Sequence, residues 1–361
     1  MSIRKGEALM TKILIAGDKF FEPLIFKDYL EKNLSKEYDI EINTMKFDFP
    51  VESFILNDNT VVPSGMSWDD PNIPKPEVGV REFYGDPFAL KDVIRDVNVL
   101  IIHGAALPKE VLENANALKV VITLRGGPEN VDRAYAEQRG IKFYNTPGKN
   151  AQAVAEYTIG LLLSFLRSIP ESSYYLKKGV WKPSYYEFDR TGIEINGKTF
   201  GLVGMGEIGC RVAKILKGFD ANIIAYDPYV EQKRFEEIGV KRVELDELVR
   251  ESDFISLHAR QPKNAKPIIG EREIKMMKKN AVLINTARGN LLDYKALKSA
   301  LENRQIRGAV LDVFGPEKFS FYKELFSLPN VLATPHIAGG SQETVKRAMD
   351  MTVAILKEFL E

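Results

Sequence analysis

Apolar and polar positions along this chain follow two alternating periods. Lys12–Ala16 (KILIA) reads as a buried strand, and apolar positions from about Glu22 to Leu34 recur at helical spacing. Asp39–Met45 alternates as a half-buried strand does. Asn98–His103 (NVLIIH), Lys119–Leu124 (KVVITL) and Ile141–Tyr144 read as further strands, with helices at Lys109–Asn114 and Val131–Arg139 between them. A long helical stretch covers about Ala151 to Leu166. A second series follows, with strands at Thr199–Val203, Asn222–Tyr226, Phe254–His258, Ala281–Asn285, Gly308–Asp312 and Val331–Ala333. Its helices are read at Glu207–Lys217, Val230–Glu237, 271–278, 294–303 and 322–327. The last helix, Gln342–Leu360, is apolar at Val345, Met349, Val353, Leu356 and Leu360. Strands that alternate with helices imply βαβ units and a parallel sheet. Asn145-Thr146-Pro147-Gly148 interrupts the pattern, so two successive α/β sets, split near residue 150, predict two doubly wound domains. Between Pro50 and Pro87 there are six prolines and few apolar runs, which predicts an irregular excursion.

Composition narrows the function. The chain has 361 residues, too many for one core and suited to two domains. Lys+Arg and Asp+Glu are both 50, a balance that argues against a dedicated nucleic-acid binder. Cys210 is the single cysteine, so no internal disulfide and no multi-thiolate metal site can form. An all-His zinc site would need His103, His258 and His336 together, and no metal is expected. The most apolar run, Thr158 to Leu166, is far shorter than the roughly 20 residues of a membrane span. Arg4 and Lys5 are followed by no signal-type apolar segment, and Met10 is an alternative start. The expected compartment is the cytoplasm.

Gly204-Met205-Gly206-Glu207-Ile208-Gly209 fits G-x-G-x-x-G. It follows an apolar strand and opens a helix apolar at Ile208, Val212, Ile215 and Leu216, which makes a weak pattern specific. Such glycines let a pyrophosphate approach a helix N-terminus. Asp227 lies eighteen residues past Gly209 at a strand end, where a carboxylate can bond both ribose hydroxyls of NAD and repel a 2′-phosphate. Pro228 and Tyr229 come next, with no arginine for NADP.

Further blocks follow in order: Gly148-Lys149-Asn150 to Val154-Ala155-Glu156, Ser256-Leu257-His258, Asn285-Thr286-Ala287-Arg288-Gly289, Asp312-Val313-Phe314 and Thr334-Pro335-His336. With these the sequence resembles the D-isomer-specific 2-hydroxyacid dehydrogenases, among them D-lactate, D-glycerate/glyoxylate and D-3-phosphoglycerate dehydrogenases. The resemblance runs from about Asn98 to the C-terminus and is loose over the first 95 residues. It implies a flavodoxin-like substrate domain, residues 1–149 and 337–361, and an inserted Rossmann NAD-binding domain, residues 150–336.

Reducing a 2-oxo acid requires a cation for the carboxylate, a polarised carbonyl, a proton donor and a hydride. Arg288 follows a strand at the sheet end where open α/β folds bind ligands, and its planar fork can hold a carboxylate in bidentate fashion. His336, after Pro335, is the side chain best suited to exchange a proton near pH 7. Glu317 stands 29 residues after Arg288 and 19 before His336; a carboxylate beside the imidazole would keep it protonated. By resemblance these are the family's catalytic Arg, Glu and His. Lys318 replaces the family's usual proline after Glu317, which predicts a looser loop.

The resemblance assigns the cofactor Gly204, Gly206, Glu207, Ile208, Gly209, Asp227, His258, Thr286, Ala287, Asp312 and Gly339, with Asp312 at the nicotinamide amide. On the substrate side it assigns Gly126 and Gly127, as backbone donors, with Arg125, His103 and Gly104 beside them. Arg125 replaces a small residue; it either adds charge for a dicarboxylate or phosphate, or forms a strand-end ion pair. Arg260 is open between a solvated cation and an anion contact. The expected partners are a small 2-oxo or 2-hydroxy acid and a second copy bound through the NAD-binding domain, with no nucleic acid and no membrane. Two other readings remain: an NAD-sensing corepressor-like regulator, and a relative acting on formate or phosphite. No residue run after the last helix supplies a regulatory domain, so a long phosphoglycerate dehydrogenase under effector control is not expected, while a short one stays open.

Overall fold

In the computed structural model the described residues are 10–47, 58, 78–80, 83, 85–127, 129–260 and 266–361. Arg4, Lys5, Pro128 and most of the proline-rich excursion lie outside them. The chain divides into two compact units. One holds the described residues up to Asn150, except Asp58, together with Ser341–Glu361; the other holds Asp58 and Ala151–Gly340.

The first unit runs β1 (Thr11–Asp18), α1 (Pro23–Leu34), β2 (Ile40–Phe47), β3 (Val99–Ile102), α2 (Lys109–Leu112), β4 (Val120–Thr123), α3 (Arg133–Gln138) and β5 (Lys142–Asn145). Its five strands are all parallel, in the order β2-β1-β3-β4-β5. Every residue of β3 and β4 is buried, as expected where a parallel sheet is covered on both faces. In α1, Phe26, Leu30 and Leu34 repeat every fourth residue and form one buried stripe. The last helix of the chain, recorded below as α12, packs against α1 and contributes Ala348, Met349 and Leu356 to the same core.

The second unit begins with α4 (Ala151–Leu166) and α5 (Ile169–Lys177). It continues β6 (Thr199–Val203), α6 (Glu207–Lys217), β7 (Asn222–Tyr226), α7 (Gln232–Ile238), β8 (Lys241–Arg242), α8 (Leu245–Glu251) and β9 (Phe254–Leu257). It ends α9 (Glu271–Met276), β10 (Val282–Asn285), α10 (Tyr294–Glu302), β11 (Gly308–Leu311), α11 (Phe319–Ser327) and β12 (Val331–Ala333). The chain then returns to the first unit as α12 (Gln342–Leu360), which starts where Ser341 caps the Thr344 N–H. The seven strands of the second unit are parallel, ordered β12-β11-β10-β9-β6-β7-β8. Strand order therefore reverses between β6 and β9, and in the first unit between β1 and β3; these are the points where open α/β sheets hold ligands. The fold is α/β with two doubly wound units, as the alternation of strands and helices predicts.

Several elements extend that reading. The helix read at 322–327 starts at Phe319, and α5, β8 and α8 are additional. Asp58 of the excursion accepts the Ser320 N–H through its carbonyl, at the start of α11. Val78, Val80 and Phe83 form a small buried cluster with Ala106.

Candidate active site

The glycine turn after β6 is fixed by close packing. Gly204 has φ +103, and a Cβ there would lie 2.6 Å from Ala259 N. A Cβ on Gly209 would lie 2.1 Å from the Gly204 carbonyl oxygen. A Cβ on Gly206 would meet nothing within 4 Å, which leaves space in front of the α6 N-terminus. Gly206 is the N-cap of α6 and supplies no side-chain acceptor, so the first-turn N–H groups of Glu207 and Ile208 face outward for an anion. The Glu207 side chain is taken by Arg211 and Arg234. Asp227, just past β7, accepts Met205 N with Oδ2 and Tyr229 N with Oδ1, both at 2.9 Å. It therefore ties the glycine turn to its neighbouring strand while keeping lone pairs for ribose hydroxyls. This arrangement of tight turn, open cradle and strand-end carboxylate fits a dinucleotide.

His258 lies across the switch point from that turn. Its backbone N–H donates to Val203 O at 2.7 Å, and Nε2 is 2.9 Å from Ser256 Oγ. Burial pushes its pKa down to about 4, so the ring is neutral at pH 7. Its Nδ1 is buried and has no hydrogen-bond partner among the described residues. Thr286 Oγ1 meets Thr158 Oγ1 at 2.8 Å.

Arg288 follows β10 with its backbone held and its guanidinium exposed. Fully buried Asn285 does the holding: its Oδ1 accepts Ala287 N and its Nδ2 donates to Arg288 O at 3.0 Å. The guanidinium Nη1 donates to Ala287 O at 2.8 Å. His336 has φ +57, the left-handed region that a side chain other than glycine rarely occupies. The loop around it is held by Asp312, which is fully buried at the end of β11. Asp312 Oδ1 accepts Thr334 Oγ1 at 2.6 Å and Ile337 N at 3.0 Å, while Oδ2 accepts Ala338 N at 2.9 Å. Burial raises the Asp312 pKa, and these donors oppose the rise. Bracing this loop, with Gly339 just beyond it, is a role the sequence does not reveal.

Glu317 is half-buried, and its Oε2 accepts Tyr322 Oη at 2.9 Å. The same hydroxyl accepts Gly315 N at 2.6 Å. Tyr322 thus restrains the loop that Lys318 is expected to loosen. It is a site residue that sequence reading missed, because an aromatic inside a short helix reads as core.

In the first unit His103 Nδ1 is 2.5 Å from Asp18 Oδ2, with both residues buried. Arg125 Nε and Asn130 Nδ2 both donate to the His103 carbonyl at 2.9 Å. Gly104 is buried beside His103. A Cβ on Gly126 or Gly127 would meet nothing within 4 Å. Asp18 and Lys149 join this group, and neither has a role in the sequence reading. Arg260 is exposed at the edge of the described residues.

Among the described residues no group of His, Cys, Asp or Glu could hold a metal ion, and no helix is long and apolar enough to cross a membrane.

The sequence model of the family described as "D-isomer specific 2-hydroxyacid dehydrogenase, NAD binding domain" matches residues 159–338. The chain is 40% identical over 296 residues to the glyoxylate reductase of Thermococcus litoralis, covering 81% of this chain and 86% of that one. It is 39% identical over 273 residues to the D-3-phosphoglycerate dehydrogenase of Methanocaldococcus jannaschii, covering 75% of this chain but only 51%, about half, of that longer protein. Among solved structures, the apo form of Escherichia coli D-lactate dehydrogenase superposes with a TM-score of 0.71 at 25% identity, over 97% of this chain and 96% of that one. With a dinucleotide cradle of this geometry and relatives of this closeness, the chain belongs to the D-isomer-specific 2-hydroxyacid dehydrogenase family and is an NAD-dependent oxidoreductase.

Proposed function

We propose that the protein reduces a small 2-oxo acid to the D-2-hydroxy acid, reversibly, with Arg288, Glu317 and His336 as its catalytic residues. When bound, the reduced nicotinamide supplies the hydride. Arg288 binds the substrate carboxylate and polarises the adjacent carbonyl through its planar fork. His336 gives its proton to the carbonyl oxygen and takes it back in the oxidation direction. Glu317 favours the imidazolium that this step requires. The observation that carries the reading is the backbone of His336. A non-glycine residue at φ +57, in a loop whose Thr334, Ile337 and Ala338 all bond one buried aspartate, is local strain kept where function uses it.

Relatives named for glyoxylate, 3-phosphoglycerate, hydroxypyruvate and D-lactate make glyoxylate, 3-phosphohydroxypyruvate, hydroxypyruvate and pyruvate the first acids to test. NADH oxidation followed at 340 nm should show turnover of at least one of them. Binding of NADH with turnover of none would overturn the reading. His336→Gln should retain NADH binding and lose about 10²–10⁴-fold in kcat.

The proposal includes a homodimer formed through the second unit. Its support is a run of exposed apolar side chains on and after α5: Ile169, Tyr174, Leu176, Val180, Trp181, Tyr186 and Phe188. No residue of α5 is buried within the protomer.

A further inference from the structure

No arginine follows Asp227 directly in the sequence, yet the fold brings one to the same corner of the second unit. Asp227 accepts Met205 N with its Oδ2, two residues before Glu207. Its Oδ1 accepts Tyr229 N, and the chain then enters α7, which carries Arg234. Arg234 Nη2 reaches back to Glu207 Oε1 at 3.5 Å. From the next turn of α6, Arg211 donates its Nη1 to Glu207 Oε2 at 2.6 Å. Arg234 also acts on the Cys210 thiol, opposing the burial that raises its pKa, so its guanidinium lies over the first turn of α6. Lys214 adds a third positive charge nearby.

Glu207 with Arg211 alone would be an ordinary helix pair one turn apart, and an acidic residue in the first turn suits the helix dipole. Arg234 comes from another element, and neither reason covers it. Among the described residues Glu207 is the only carboxylate that pairs with either arginine. The Arg211 guanidinium first, with the charges of Arg234 and Lys214, holds the Glu207 carboxyl below its ordinary range, so it is ionised at pH 7. Two guanidinium groups, the side chains best shaped to grip a phosphate, thus stand beside a dinucleotide cradle with their charge answered from within the protein. The strand-end carboxylate marks the ribose side of that cradle, which is where a 2′-phosphate would need them.

We propose that Glu207 is a positioning residue that sets cofactor preference: by holding Arg211 and Arg234 it withholds both guanidinium groups from a 2′-phosphate, so the cradle selects NAD over NADP. Asp227 repels the 2′-phosphate, and Glu207 occupies the cations that would otherwise receive it. The inference involves the dinucleotide cradle alone and no particular 2-oxo acid.

The test measures dissociation constants of NADH and NADPH by nicotinamide fluorescence, without substrate, in wild type and Glu207→Gln. Wild type should bind NADH more tightly. Glu207→Gln keeps the shape of the side chain and releases both arginines, so the affinity ratio should move toward NADPH by about fivefold, the scale of an exposed ion pair. In the triple variant Glu207→Gln, Arg211→Met, Arg234→Met the ratio should return to the wild-type value. All three side chains are at least 36% exposed, so both variants should fold. An unchanged ratio in Glu207→Gln, including an equal gain for both cofactors, would overturn the proposal, since Glu207 would then act only on what the two cofactors share. A ratio that stays raised in the triple variant would overturn it too, by showing that the arginines take no part. So would wild-type protein that binds NADPH as tightly as NADH. As a second readout, adenosine 2′-monophosphate should raise the melting temperature of Glu207→Gln more than that of wild type, and equal protection defeats the proposal. None of these measurements needs turnover, so failure of every 2-oxo acid would defeat the proposed function and leave this comparison intact.

Discussion

Tyr322 places one hydroxyl between two groups that need it, the Glu317 carboxylate and the Gly315 N–H. Burial drives the phenol pKa far up, so it stays protonated and donates to Glu317 at any working pH. Tyr322→Phe keeps the ring against Phe314 and Phe326 and removes only the oxygen. A hydrogen bond to a charged group is worth roughly 1.5–3 kcal/mol, so reduction should slow by about 10- to 100-fold with NADH affinity unchanged. Near-normal kcat would show that Glu317 is held without it. The sequence shows that proline is missing after Glu317, but not what replaces its restraint, since that depends on a side chain reaching back five residues. The histidines carry a second consequence. His103 and His258 both sit near pKa 4 in the fold against about 6.5 when unfolded, so the unfolded chain binds the extra protons between these values. Their neutral forms therefore stabilise the fold above pH 6.5, and this is lost as pH falls toward 4, by up to about 3 kcal/mol each. Urea midpoints at pH 7 and pH 4.5 measure it; equal midpoints would contradict both assignments.

At the scale of elements, the glycine turn separates two kinds of requirement. Gly209→Ala would put a methyl 2.1 Å from a backbone oxygen, so the β6–α6 junction must open and NADH affinity should fall by about tenfold or more, with loss of stability. Gly206→Ala meets no protein atom, so the fold should keep its melting temperature while NADH binding weakens. If Gly206→Ala destabilised the protein as much as Gly209→Ala, the open cradle would be misread. Elements with a strong apolar stripe were legible to the residue: α4, α6 and α12 span Ala151–Leu166, Glu207–Lys217 and Gln342–Leu360, as their periodicity predicts. α5 was not, because none of its residues is buried and no stripe exists to read. β8 has two residues, too few for any period to show. The strand ends that carry Arg288 and His336 could be read from apolar runs. The buried acceptors that hold them, Asn285 and Asp312, depend on contacts distant in sequence.

For the whole molecule, the proposed dimer gives the exposed run after α5 its use. Trp181 and Phe188 are 72% and 91% exposed, which is unusual for side chains of that size. The double substitution Trp181→Asp with Phe188→Asp should halve the mass seen by light scattering and leave NADH binding in place. A wild-type protein already monomeric at micromolar concentration would remove the dimer. The return of α12 to the first unit sets the order of folding during synthesis. Domains ordinarily form from the N-terminus onward as the chain emerges. Here the first unit to be synthesised lacks Ala348, Met349 and Leu356 of its core until α12 leaves the ribosome, whereas the sheet of the second unit is complete at Ala333. The unit synthesised second should therefore fold first, and the strands of the first unit should stay open to chaperones until α12 has emerged. Pulsed hydrogen exchange during refolding should protect amides of β6, β9 and β10 before those of β1 and β3; protection in the opposite order would show that the first unit forms without its last helix.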